Sequence, residues 1–256
     1  MARRLLSLAA NTFRETVRNR ILYGILGFAL LIIGLTWFLA GLSVGEMTRI
    51  IADVGLACIH VFGVLMAVFL GITLVSYEVE RKTVYLVLSR PVPRWEFVIG
   101  KTLGLWCTLA VMTAAMAATL FALHAAYGGR AEPGLFVASA GIYMELMLLV
   151  CLASFFSTFT TPVLSAMFAL SMTLIGHLSE QLLHFGGRSP SAAARWLGRA
   201  LYYLLPNLEL FNWKNLVVYG EARSPALVAG VAGYLACYAG AVLAAACLVF
   251  ERKDLR

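Results

Sequence analysis

Charge is scarce in this chain: Asp, Glu, Lys and Arg make up 13% of its 256 residues, while 61% are hydrophobic. So few charges cannot clothe a soluble fold of this length, and several apolar runs reach the about 20 residues that cross a bilayer. A soluble domain is therefore set aside. Cysteine chemistry is missing as well. The five cysteines (Cys58, Cys107, Cys151, Cys237, Cys247) all fall inside apolar runs, with no CxxC pair and no zinc-type spacing, and read as packing residues. A nucleotide-binding loop is also absent. Gly100-Lys101-Thr102 resembles the tail of one, but the G-x-x-x-x-G-K-[ST] spacing needs glycine where Trp95 stands. The formal net charge is +7, yet the Lys and Arg residues flank apolar runs and form no isolated basic stripe with interleaved aromatics. Nucleic-acid binding is excluded on that ground. No signal peptide is expected either, since apart from Arg3 and Arg4 no continuous apolar core begins before Ile21, and that run is too long.

What is present is a series of long apolar runs: Ile21–Leu42, Val54–Tyr77, Phe97–Tyr127, Leu135–Phe156, Pro162–Leu183 and Leu227–Phe250. They predict an all-α integral membrane protein with six transmembrane helices, one bundle over residues 1–256. The third run is longer than a bilayer needs and should tilt or project. Ahead of the first, residues 1–20 predict an amphipathic interfacial helix. Leu5, Leu6, Ala9, Phe13 and Val17 share one face, and Arg3, Arg4, Ser7, Asn11, Arg14, Glu15 and Arg18 share the other; Thr16 alone is misplaced.

Six crossings put both termini on one side, together with Arg3, Arg4, Arg14, Arg18, Arg20, Arg81, Lys82, Arg90, Arg94, Lys101, Arg252, Lys253 and Arg256. Five of the seven remaining basic residues lie in one long loop, Gln181–Ala226, which carries less weight in orientation. Both termini are thus expected in the cytoplasm, and the protein in a plasma or bacterial inner membrane. The opposite loop, residues 184–226, is not plain linker. After Gly186, Gly187, Ser189 and Pro190 it carries RWLGRALYYLLPNLELFNWKNLVVYG, whose Tyr202, Tyr203, Trp213 and Tyr219 suit an interfacial belt. This external piece is expected to fold against the outer leaflet or the bundle.

Between the second and third runs lies a charged segment, residues 78–96. Glu78, Glu80, Arg81 and Lys82 are followed by Thr83, a short pattern through Val84, Tyr85 and Leu88, and a break at Ser89, Arg90, Pro91, Pro93 and Arg94. Two prolines fix backbone torsions and remove amide donors, which makes a bent, stiff connector suited to transmitting force. The order E-x-E-R-K-T-x-x-x-x-L-S-R-P-V-P-R-x-x-x-x-x-G-K resembles the coupling segment of ABC-2 type permeases, the membrane subunits of ATP-binding-cassette exporters. The terminal FERKDL is similar to the ending common in that family. PNLELFNW resembles a stretch found before the last span in the branch related to multicopper-enzyme maturation permeases.

The resemblance implies a cytoplasmic coupling helix that docks into an ABC ATPase subunit, with Glu78, Glu80, Arg81, Thr83, Tyr85, Leu88, Ser89, Pro91 and Arg94 forming the contact. Gly100 and Lys101 complete the matching pattern. Lys82 stands where many members have glycine. It implies no enzymatic activity and no cofactor in this chain, with ATP and Mg held by the partner ATPase. A second permease copy or a sister permease and membrane lipids complete the expected partners, with no nucleic acid. The alternative is a stand-alone secondary transporter or channel, against which stands the lack of an obvious inverted repeat. An intramembrane enzyme would need a convergent nucleophile or metal set, and none is visible in the sequence.

Within the runs, Glu145 is an intramembrane carboxylate and a candidate for a substrate path or for a structural pairing between helices. His177, Glu180 and His184 share one helix face, but the order H-x-x-E-x-x-x-H matches neither H-E-x-x-H nor a paired E-x-x-H set, so no metal ligand is assigned. His60 and His124 read as isolated histidines satisfied within the bundle. Small residues (Ala114, Ala115, Ala117, Ala118; Gly230, Gly233, Ala236, Gly240, Ala244) would permit close helix approach or a dimer seam.

Overall fold

The computed structural model describes residues 2–40, 47–80, 94–127, 133–179, 181, 192–214 and 225–252. These form eight α-helices and one 3₁₀ turn: α1 Ala2–Val17, α2 Arg20–Ala40, α3 Met47–Glu80, α4 Arg94–Ala126, α5 Pro133–Phe159, α6 Pro162–His177, α7 Ala192–Leu204, η1 Glu209–Phe211 and α8 Pro225–Arg252. Among the described residues there is no strand. Helices α2, α3, α4, α5 and α8 are long and apolar enough to cross a membrane. The fifth apolar run behaves differently. Expected to continue to Leu183, it ends as α6 at His177 after 16 residues, about 24 Å of helix against a hydrocarbon core of about 30 Å. Among the described residues, five helices thus reach membrane length and this sixth apolar one is shorter.

Local signals explain several boundaries. The Asn19 side chain accepts the Ile21 N–H at 3.0 Å, an N-cap that starts α2 directly after α1 ends. Thr161 is extended, with ψ 158, and Pro162 opens α6, where its missing N–H costs nothing.

In a lipid environment, burying leucine against leucine gains little, because hydrocarbon tails are equally apolar; close van der Waals fit and interhelical hydrogen bonds must hold the bundle. Helices α3 and α5 form its centre, with α2, α4 and α6 against α3, and α4, α6 and α8 against α5. Helix α3 makes the fit possible with three glycines eight residues apart. A Cβ on Gly55 would collide with Leu120 of α4, one on Gly63 would lie 2.5 Å from Leu146 of α5, and one on Gly71 would collide with Ala153 of α5. Hydrogen bonds add to the fit, two between α4 and α5 and one between α5 and α3: Trp106 Nε1 donates to the Met147 carbonyl at 3.1 Å, Tyr143 Oη to the Trp106 carbonyl at 3.1 Å, and Ser157 Oγ to the Ile72 carbonyl at 3.1 Å.

The small residues singled out from the sequence sit elsewhere. A Cβ added to Gly230, Gly233 or Gly240 of α8 would meet no atom within 4 Å, so among the described residues these glycines mediate no close helix approach.

The amphipathic helix α1 lies across the first half of α4. Its less exposed side comprises Leu5, Ala9, Phe13 and Val17 of the expected apolar face together with Leu8, Thr12 and Thr16, and of that face Leu6 alone stays exposed. Thr16, misplaced on the wheel, turns its hydroxyl inward to the Thr12 carbonyl at 2.6 Å. Gly104 admits the helix, since a Cβ there would lie 2.6 Å from the Ala9 carbonyl and 2.7 Å from Thr12 Cβ. Gly104→Ala should therefore lower thermal stability by about 1–3 kcal/mol through overpacking. Gly230→Ala, with open space and better helix propensity, should leave it unchanged or raised by up to about 1 kcal/mol. Melting curves of the two variants in detergent measure the difference.

Candidate functional site

Glu145, on α5, is 2% exposed, and a charged side chain at mid-bundle depth costs about 3 kcal/mol or more unless partnered. Its partners come from two other helices. Glu145 Oε1 lies 2.9 Å from His60 Nε2 of α3 and 3.5 Å from His177 Nε2 at the end of α6. The two imidazoles meet edge to face, 5.3 Å between centroids at 64°. His177 is oriented from behind, its Nδ1–H donating to the Thr173 carbonyl at 2.9 Å.

The backbone explains why three helices converge here. Gly63, close to one turn beyond His60, meets Leu146, the residue after Glu145, so α3 and α5 approach closely at this level and a histidine can reach the carboxylate. Helix α6 ends at His177, with Leu178 as its C-cap, beside a separate capping segment. The Gly176 carbonyl receives the Leu208 N–H at 3.2 Å and Ser179 Oγ at 2.9 Å.

That cap is the segment 205–214. The Asn207 side chain accepts the Glu209 N–H at 3.1 Å and the Asn207 backbone N–H donates to Tyr234 Oη at 2.9 Å; Asn212 Nδ2 donates to Glu209 Oε1 at 2.8 Å. Leu208 and the Pro206 carbonyl press on Gly176, while the Phe211 carbonyl and Trp213 press on Gly141 of α5. At its end, Lys214 comes within electrostatic reach of the cluster: burial pushes its ammonium pKa down, while the Glu145 and Glu209 carboxylates pull it up.

Several expectations change accordingly. His60 is not isolated; it is the nearest partner of Glu145. No local signal could have shown this across 85 residues of separation. Trp213 is 1% exposed, with its indole N–H donating to the Leu210 carbonyl at 2.8 Å, so it is a buried anchor and not a belt residue. Tyr203, 81% exposed, keeps the outward placement. His177 stands in the cluster, whereas Glu180 and His184 lie outside the described residues, as does Tyr219. His124 is buried, and among the described residues neither of its ring nitrogens has a hydrogen-bond partner.

Of the coupling residues, Arg81, Thr83, Tyr85, Leu88, Ser89 and Pro91 lie outside the described residues. Glu78 and Glu80 belong to the last turns of α3 and Arg94 opens α4, but their side chains are likewise outside the description. The flanks are visible. Gly100 abuts Leu8 of α1, and the Lys101 ammonium sits 4.9 Å from the Phe97 ring centroid. Lys101 also lines a cavity of about 590 Å³ with Thr12, Glu15, Asn19, Arg20 and Thr73.

An all-helical bundle with five membrane-length helices, a sixth shorter apolar one and a polar cluster inside it is a multi-pass integral membrane protein. Its sequence matches the family model described as ABC-2 family transporter protein over residues 6–255, and the chain belongs to that family. No curated protein matches it. It is thus a membrane permease component of the ABC transporter class.

The cluster predicts an asymmetry between substitutions. Glu145→Gln keeps an oxygen for His60 and should cost little, whereas Glu145→Leu leaves the part-buried His60 without its partner and should cost about 1–3 kcal/mol. Thermal unfolding of both variants, compared with wild type, checks the ordering.

Proposed function

We propose that this chain is the permease subunit of an ATP-driven exporter, bound through the segment 78–96 to a separate ABC ATPase that supplies the ATP and Mg chemistry. The observation that carries the reading is the family match across nearly the whole chain, joined to the position of the E-x-E-R-K-T…P-R motif between the end of α3 at Glu80 and the start of α4 at Arg94. A short proline-stiffened link between two long helices passes displacement on, where a flexible one would absorb it.

In this reading Val84, Tyr85 and Leu88 anchor in a cleft of the ATPase, and Glu78, Glu80, Arg81 and Arg94 orient the contact with Thr83, Ser89 and Pro91. Closure of the ATPase dimer tilts the helices that flank the motif. Helix α1, seated on α4 at Gly100 and Gly104, moves with them. A basic, partly apolar helix joined to the first span by two residues suits the inner headgroup layer, with both termini cytoplasmic in a plasma or bacterial inner membrane. The permease works as a pair, with a second copy or a sister permease.

Affinity purification of the tagged chain from its native membrane should bring down an ATPase carrying a phosphate-binding loop. Thr83→Ala and Arg94→Ala should leave insertion and ATPase association in place while removing the permease's effect on the ATP hydrolysis rate. Nucleotide-independent transport by the chain alone in vesicles, or wild-type coupling in both variants, would sink the reading.

A further inference from the structure

The geometry points to a transition-metal site: we infer that His60, Glu145 and His177 together bind a divalent first-row ion of the zinc class inside the helical bundle. One ligand atom from each residue can be chosen so that all lie within 4.8 Å of one another. An ion with metal–nitrogen and metal–oxygen bonds of about 2.0–2.2 Å needs its ligands about 3.3–3.5 Å apart. The observed His177 Nε2–Glu145 Oε1 separation is 3.5 Å, and that of His60 Nε2 is 2.9 Å. The edge between the two imidazoles, at most 4.8 Å, has to shorten by up to about 1.3 Å for all three to meet one ion.

The tautomer of His177 carries the argument further. Its Nδ1 donates to the Thr173 carbonyl, so in the neutral ring the proton is on Nδ1 and the bare lone pair of Nε2 faces the Glu145 carboxylate. Two electron-rich atoms aimed at each other across 3.5 Å repel unless a positive centre, a proton or a metal ion, lies between them. A backbone carbonyl that holds the far N–H of an imidazole is also the arrangement found behind most metal-bound histidines, where it fixes the ring and raises its basicity. His60 joins by moving its proton from Nε2 to Nδ1, with no change in charge.

Two imidazoles and one carboxylate suit zinc, iron or cobalt over calcium or magnesium, which want oxygen ligands, and over copper(I), which wants sulfur. Three protein ligands leave at least one coordination position for water or a ligand brought from outside. The ligands come from three helices, α3, α5 and α6, and the last of these is tied to the cap at Gly176. The ion would therefore pin the cap's anchor helix to the bundle core. This inference stands apart from the transport reading, because it concerns the isolated chain and requires no ATPase.

The test is a Co²⁺ titration of the purified, chelator-stripped full-length chain in lipid nanodiscs, followed by its visible d–d absorption. The expected result is one equivalent per chain, with the intense bands of a four- or five-coordinate ion, displaced by one equivalent of Zn²⁺. His177→Ala and Glu145→Gln should each weaken binding by more than the about 10–100-fold that loss of an outer partner costs. His124→Ala, a buried histidine outside the cluster, should bind as wild type does. The wild-type titration alone can overturn the inference: weak bands of a six-coordinate aqua-like ion, or no stoichiometric binding, would do so whether or not the variants fold. Undiminished binding in a His60→Ala/His177→Ala double variant would overturn it equally.

Discussion

A carboxylate set deep in an apolar bundle must be met by other polar groups, and the packing around Glu145 is organised by that demand. Hydrocarbon offers no water to solvate it, so helices α3 and α6 bring histidines to it and α5 is held where they can reach. The close approach rests on glycine: Gly63 lets α3 come near enough to α5 for His60 to reach the carboxylate. The same logic extends outward. With α6 ended at His177, its last carbonyls need donors, and the cap supplies the Leu208 N–H. Cluster, short helix and cap thus meet at one level of the bundle.

A second organising device lies near the other end of the bundle. Helix α1 is received by Gly100 and Gly104 of α4, immediately downstream of the proline-rich motif. Gly100 belongs to the motif's family pattern, and its place in the packing explains why a residue without a side chain stands there: any Cβ would strike Leu8. A force delivered to the start of α4 thus reaches α1 without passing through a loop.

Most of the fold could be read from the sequence, because the information is local. Long apolar runs gave the membrane helices, and alternation of Leu and Arg on a wheel gave α1. The exceptions are instructive. The wheel placed the apolar face of α1 on Leu5, Leu6 and Phe13, whereas the helix also packs through Leu8, Thr12 and Thr16, since a threonine hydroxyl bonded back to its own helix can enter a contact as if apolar. Hydropathy carried the fifth run on to Leu183, while the chain stops α6 at His177 under the cap. Glycine spacing was read on α8, where it meets open space, and overlooked on α3, where Gly55, Gly63 and Gly71 do the packing. For the cluster, Glu145 stood out by charge alone. His60 did not, because a contact between residues 85 positions apart has no signature in either neighbourhood.

The order of helices along the chain has a bearing on how such a protein is made. Helix α3 is synthesised before α5, and α6 after it, so when the segment bearing Glu145 leaves the translocation machinery the imidazole of His60 is already waiting in the bilayer. The carboxylate enters lipid with a companion on hand, and the second histidine arrives only after the hardest step of insertion is over.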